Sequence, residues 1–312
     1  MAAERDHGGG VDAAARRFGG MRSDWLDLST GINPCPYPVD QIPPEAWTAL
    51  PDTAAQTTLT DAARRFWSVP QTAAVLAAPG ASALIARIPR LGRPGRAHIP
   101  TPTYNEHAGA FVQEGWELSE TDPNARVVVH PNNPDGRYWR PADLDGAALR
   151  IVDESFCDIC PDRSLIAEAA RPGTIVLKSF GKFWGLAGLR LGFAIGDPAL
   201  IDRLARMLGP WPVSGPALHI GRLALEDTPW ATDTRARLAG DAARLDRLMQ
   251  DHGKIIGGTP LFRLYEVDDA ARFQDRLARQ RIWIRIFPYS RRWVRLGLPG
   301  SQADWTRLET AL

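Results

Sequence analysis

Lysine is nearly missing from this 312-residue chain: among 37 cationic residues only Lys178, Lys182 and Lys254 are lysine. Arginine keeps its proton in a protein, whereas a lysine with a shifted pKa becomes a neutral nucleophile. A lysine that persists against such a bias therefore marks a place to look for amine chemistry. Cysteine is scarce too. Three, an odd number in a long chain, do not make a disulfide framework and point to a reducing, cytoplasmic setting. No apolar run approaches the ~18 residues of a spanning helix, and the opening stretch MAAERDHGGG holds no signal-peptide core. The net charge is +1, which argues against a dedicated nucleic-acid or anionic-membrane surface. No membrane and no nucleic-acid partner is expected.

What is present suits a large globular α/β protein. The length is about twice a typical ~150-residue domain, and the apolar fraction of 44% is ordinary. Glycine and proline are plentiful but scattered, as in turns. From Thr72 to Gly196 short apolar runs alternate with helix-like stretches. The runs Val75–Ala78, Ala97–Ile99, Arg126–Val129, Leu149–Val152, Thr174–Leu177 and Leu191–Ile195 are too short for helices and read as buried strands. Several end in polar or glycine-bearing loops. In open α/β sheets ligands sit beyond the carboxyl ends of the strands, so these loops should converge on one crevice.

After Leu200 the pattern changes. Leu238, Ala242, Leu245 and Leu248 keep helical spacing up to a stop at Gly253. Strands are expected over Phe262–Val267, Ile282–Phe287 and Val294–Leu298, with a helix over Ala271–Gln280. The first 40 residues show little periodicity and read as an arm.

The crevice carries a coherent set of groups. Lys182, on the loop after one strand, could bond covalently to an aldehyde cofactor. Asp153, ending another, could pair with a protonated pyridine nitrogen. Asn133 could donate to a phenolic ring oxygen, and Tyr104 could stack on the ring. Gly80-Ala81-Ser82 opens a helix whose backbone N–H groups could hold a phosphate, with Ser179 and Arg190 completing the cradle. Taken singly each has a plainer reading: a strand-end cap, a β-turn at Asn133-Pro134-Asp135-Gly136, a common helix start, a surface lysine. Their order and strand-end placement together carry the argument.

The run Ser179-Phe180-Gly181-Lys182-Phe183-Trp184-Gly185-Leu186-Ala187-Gly188-Leu189-Arg190-Leu191-Gly192 closely resembles the lysine signature of the class I and II aminotransferase family of fold-type I pyridoxal-phosphate enzymes. His130 to Gly136 resembles that family's asparagine motif, with Asp135 where threonine is usual, and Asp153-Glu154-Ser155-Phe156 resembles its aspartate motif. The resemblance implies a three-layer αβα large domain with a mainly parallel sheet, plus a smaller α+β C-terminal domain. The implied boundaries are an N-terminal arm over 1–44, a cofactor-binding domain over 45–220 and a small domain over 221–312. It implies pyridoxal 5'-phosphate as cofactor, covalently held by Lys182. Asp153 would face the pyridine nitrogen, Asn133 the ring oxygen and Tyr104 the ring face. Ala81, Ser82, Ser179 and Arg190 would hold the cofactor phosphate. Arg295, in Trp293-Val294-Arg295-Leu296-Gly297, matches the family's substrate-carboxylate arginine; its plainer reading is one more arginine beside Arg291 and Arg292 on a solvated edge. A homodimer is also implied.

Departures from the family pattern narrow the choice. Tyrosine is usual three residues after the aspartate, where its hydroxyl bonds the ring oxygen; here Phe156 stands. That change, His7-Gly8-Gly9, Leu26 to Pro34 and Trp211 to Leu218 are similar to a decarboxylating branch of the family that works in cobalamin biosynthesis. The implied reaction takes L-threonine O-3-phosphate to (R)-1-amino-2-propanol O-2-phosphate. A second phosphate site is then needed, for which His7, Asn33 and Arg285 are candidates; Arg285 shares a strand face with Trp283 if Ile282–Ile286 alternates. The alternative is an aminotransferase acting on a phosphorylated substrate such as histidinol phosphate. A DNA-binding regulator would need a module for which there is no room before Leu26, and a scaffold without activity would have no use for Lys182. Residues 53–58 lack a tyrosine that many relatives use to reach the neighbouring subunit's cofactor. Cys157-Asp158-Ile159-Cys160 has a C-x-x-C spacing without a thioredoxin-like context, and one pair is half a zinc site, so it reads as packing. No metal is expected, and His219 reads as structural.

Overall fold

A computed structural model describes residues 7–39 and 42–312. Positions 1–6 of the expected arm, and positions 40–41, lie outside the described residues. The chain divides into two compact units. One comprises Tyr37–Asn133 and Tyr138–Thr232; the other comprises the described part of Met1–Pro36, Pro134–Arg137 and Asp233–Leu312.

The first unit is built on a seven-stranded sheet. In spatial order its strands are Ala74–Ala78, Gly192–Gly196, Thr174–Ser179, Leu149–Asp153, Ala125–Val129, Arg96–His98 and Glu117–Leu118. Gly192–Gly196 runs antiparallel to both neighbours, and every other pairing is parallel. All six apolar runs are strands, each within a residue or two of its expected limits. The short edge strand Glu117–Leu118 has no apolar run to reveal it. Alternation splits the core: Val127, Ile151, Ile175, Leu177 and Ala194 join Leu84, Phe111, Ile201 and Leu204 from helices on one face. On the opposite face Phe193 meets Trp67, which follows the helix Thr53–Phe66, and that helix packs on Gly215–Glu226. Helices on both faces of a mainly parallel sheet make the expected three layers.

The second unit holds a four-stranded antiparallel sheet in the order Arg285–Phe287, Ser290–Leu296, Phe262–Glu266, Lys254–Thr259. The expected single strand over Ile282–Phe287 is in fact two. Ile282–Trp283 pairs in parallel with Leu26–Asp27, and the chain then breaks at Ile284 before Arg285–Phe287 joins the larger sheet. The break comes from competition: Ile284 is fully buried and its carbonyl is taken by the Gln274 side chain. The first 40 residues also hold more structure than their sequence suggests. Val11–Phe18 is a helix whose buried Val11 and Ala14 pack with Trp25 and Ala278. The strand Lys254–Thr259 is hidden in the sequence by Gly257 and Gly258. Both glycines are needed: a Cβ at Gly257 would fall 2.2 Å from the Asp135 carbonyl oxygen, and one at Gly258, where φ is +125°, 2.4 Å from that of Phe262.

Candidate active site

Asp153 ends its strand at the sheet's carboxyl edge and is buried. Its Oδ2 lies 2.8 Å from His107 Nε2, and its Oδ1 accepts from the Ser155 N–H at 3.0 Å and from the Ser155 hydroxyl at 2.5 Å. Burial by itself would push this carboxyl up, but the bonds to His107 and Ser155 outweigh it and hold the group below its ordinary value. A buried carboxylate kept ionised in this way is what a protonated pyridine nitrogen requires of its partner. Sequence reasoning misses His107, which belongs to none of the three motifs. It sits three residues past Tyr104 in the helix Asn105–Gln113, and the two rings meet edge-on at 6.2 Å.

The neighbouring strand Thr174–Ser179, in register with Asp153 at Leu177, leads into Lys182. The Lys182 Nζ stands 5.3 Å from the centroid of the Phe156 ring. Phe156 therefore presents a ring face to that amine where a tyrosine would add a hydroxyl. The other buried lysine behaves differently. Lys178 pairs with Glu154 at 2.7 Å and Asp158 at 3.5 Å; burial opposes its charge, but the two carboxylates outweigh it and hold its pKa well above the ordinary value. Lys178 is a locked cation and no nucleophile.

Around Ala81 the backbone is closely packed. Gly80 precedes the short helix Ala81–Ile85 at φ +81°, and a Cβ there would lie 2.7 Å from Arg190 Nη2. Arg190 itself adopts φ 54°, uncommon for a residue with a side chain. A Cβ on Gly192 would fall 2.5 Å from the Ala81 nitrogen. So the Ala81 N–H, the Arg190 guanidinium and the loop beginning at Ser179 come together, and Ser82 is exposed in the first turn. Asn133 is half-buried; its neighbour Asn132 bonds Thr103 at 2.6 Å and the Pro102 carbonyl at 3.0 Å, which fixes the loop that carries Tyr104. All eight expected cofactor residues belong to the first unit.

The four expected substrate residues belong to the second. Arg295 is buried, donates to the Ser29 carbonyl at 2.6 Å and lies 5.1 Å over the Phe262 ring. Arg285 stands directly opposite it on the adjacent antiparallel strand. Gly8 packs on the same place, since a Cβ there would meet the Ser29 oxygen at 2.6 Å and Arg295 Nη2 at 3.4 Å. Gly9 is pinned by the Ser29 hydroxyl at 2.7 Å and by the Trp283 indole at 2.9 Å. His7, exposed, thus leads directly into the Arg295 neighbourhood. Asn33 is fixed through its side-chain oxygen: Oδ1 accepts from the Cys35 N–H at 3.0 Å and from Arg237 at 2.6 Å. Ser29 and Trp283 are parts of this arrangement that sequence reasoning leaves without a role, because nothing local marks a serine as the hub of three segments.

The model of the family described as aminotransferase class I and II matches residues 117–312. The threonine-phosphate decarboxylase of Pseudomonas aeruginosa is 42% identical, over 98% of this chain and 97% of that protein. That of a Sinorhizobium species is 41% identical, over 100% and 98%. Among solved structures, the histidinol-phosphate aminotransferase of Sinorhizobium meliloti in complex with pyridoxal-5'-phosphate shares the fold, with a TM-score of 0.82, 18% identity and coverage of 99% of this chain and 94% of that one. The chain therefore belongs to the class I and II aminotransferase family, in the company of its threonine-phosphate decarboxylases.

Proposed function

We propose that this protein is a pyridoxal-phosphate-dependent decarboxylase that converts L-threonine O-3-phosphate to (R)-1-amino-2-propanol O-2-phosphate in cobalamin biosynthesis. The reaction class rests on one observation above others: 42% identity, over nearly the whole of both chains, to a threonine-phosphate decarboxylase. The residues present suit the cofactor, since a buried ionised Asp153 and a glycine cradle closed by Arg190 are what its pyridine nitrogen and phosphate need. When bound, the cofactor supplies an aldehyde carbon for amines and a ring that takes up the electron pair of a breaking Cα bond.

The chain's own residues do the rest. Lys182 would hold the aldehyde carbon and, as a free amine, would carry a proton to the substrate Cα. Asp153, steadied by His107, would face the pyridine nitrogen and favour its protonated form. Asn133 would donate to the ring oxygen and Tyr104 would cover the ring. Ala81, Ser82, Ser179 and Arg190 would hold the phosphate. Arg295 takes the substrate carboxylate and Arg285, with His7 and Asn33, the substrate phosphate. Holding both anions would orient the substrate so that the bond from Cα to the carboxylate is the one that breaks.

The proposal includes a cytoplasmic homodimer. Trp47, Leu50 and Trp211 are 67%, 68% and 53% exposed, and they flank the place where Ala46 meets Gly215. Large apolar side chains left in water near one packing contact support a covering partner. Sedimentation of the holoenzyme at twice the chain mass tests it, and a monomer at micromolar concentration removes it.

The deciding experiment is incubation of the holoenzyme with L-threonine O-3-phosphate. Carbon dioxide release without ketoacid consumption is expected. Ketoacid-dependent amino transfer would instead establish the aminotransferase reading.

A further inference from the structure

The turn after Asp153 holds a pair of thiols that the proposed reaction does not use. Cys157 Sγ and Cys160 Sγ lie 4.0 Å apart. The turn is tight, with Cys157 N–H bonded to the Glu154 carbonyl at 3.0 Å and Cys160 N–H to that of Cys157 at 2.9 Å. Cys157 is buried and Cys160 half-buried. Cys160 also hydrogen-bonds Tyr138, which is 40% exposed and marks the solvent side of the pair.

Metal binding is the first thought, because donor atoms of His130, Glu154 and Cys157 all lie within 4.8 Å of one another. The hydrogen bonds argue against it. His130 Nδ1 accepts the Trp139 N–H at 3.0 Å and Nε2 faces the Arg163 carbonyl at 2.7 Å, so neither nitrogen offers a lone pair. The Glu154 carboxylate takes the Ser164 hydroxyl, the Leu165 N–H and the Lys178 ammonium. A cation would have to displace an ammonium from it. Thiol chemistry is what remains.

We propose that Cys160 and Cys157 are a dithiol modification site that reacts with a low-molecular-weight disulfide and closes to an intrachain Cys157–Cys160 disulfide. The Cys160 thiolate attacks one reagent sulfur, breaks its S–S bond and expels one thiolate, leaving a mixed disulfide. Cys157 Sγ then attacks Cys160 Sγ and expels the second. The two cysteine protons end on the two released thiols; the protein loses two electrons and the reagent gains them. The order follows exposure. It also follows thiolate character: hydrogen bonds from Cys157 and Tyr138 pull the Cys160 thiol down against burial, while the bond to Cys160 and burial push Cys157 up.

The bond would be felt at Lys182. Closing the sulfurs from 4.0 Å to a bonded ~2.05 Å needs the turn to adjust. Asp158, between the cysteines, accepts the indole N–H of Trp67 at 2.9 Å and of Trp184 at 3.0 Å, and Trp184 lies two residues past Lys182. Phe156, adjacent to Cys157, faces the Lys182 amine. Turnover of the disulfide form falls. This consequence rests on the function proposed above, whereas formation of the bond does not.

The test treats the full-length protein with oxidised glutathione, denatures it and alkylates the remaining thiols. A 157–160 disulfide, found by mass after proteolysis, is expected, together with at least a threefold loss of turnover that dithiothreitol restores. Cys35→Ser should behave as wild type, Cys160→Ser should keep its activity, and Cys157→Ser should trap glutathione on Cys160. Free thiols at both positions after treatment, or glutathione resting on wild-type Cys160 with no internal bond, overturn the proposal. Because the thiol mapping needs no substrate, it decides the proposal even for a chain that proves inactive on L-threonine O-3-phosphate.

Discussion

Arg285 and Arg295 face each other across neighbouring antiparallel strands as direct register partners. Two like charges so placed cost ~0.2–1 kcal/mol unless something offsets them. A substrate with a carboxylate and a phosphate would do so. Arg285→Gln should raise KM for L-threonine O-3-phosphate by about ten- to a hundredfold, the worth of a charge-assisted hydrogen bond, with a smaller change in kcat. An unchanged KM removes Arg285 from the substrate site.

His107 and Asp153 give a second expectation. His107→Phe strips a buried hydrogen-bond partner from Asp153 Oδ2 and should cost ~1–3 kcal/mol of stability. Asp153→Asn should retain the cofactor yet lose about a hundredfold or more in turnover. The pH dependence has a definite sign. The folded carboxyl lies below its ordinary value of 3.8, so the stability it brings is present in full above that value and is lost as pH falls through the folded one. The difference in melting temperature between wild type and Asp153→Asn should shrink as the solution is acidified below 3.8.

Lys182→Arg keeps the charge and removes the nucleophile. It should abolish both turnover and covalent retention of the cofactor after borohydride treatment. Borohydride labelling of a different amine in the wild-type protein would overturn the assignment of Lys182.

Lys178 offers a contrast four residues upstream. Lys178→Met leaves the Glu154 and Asp158 carboxylates buried without their cation and should destabilise the fold by ~3–5 kcal/mol. Urea unfolding measures it. A loss under about 1 kcal/mol would mean that other partners satisfy both carboxylates.

Gly80→Ala tests the cradle. At φ +81° and ψ 157° the backbone is in a region open to little but glycine, and the new Cβ would crowd Arg190. The expected cost is ~1–3 kcal/mol, together with faster loss of cofactor on dialysis. A variant that retains cofactor like wild type would place the phosphate elsewhere.

The amino-acid sequence alone determined the six principal strands of the large sheet, because β-branched runs bounded by polar loops admit little else. It also determined the lysine, asparagine and aspartate motifs, since each occupies a few consecutive residues. Tertiary structure decided the rest. His107 meets Asp153 from 46 residues away. Gly136 and Gly257 are glycines because two distant backbones touch there. Arg285 faces Arg295 only because the chain leaves one sheet at Ile284 and enters another in a particular register. Periodicity is a local property and survives in the order of residues; cross-strand partners and close backbone approaches depend on register and packing, which exist only once the chain has folded.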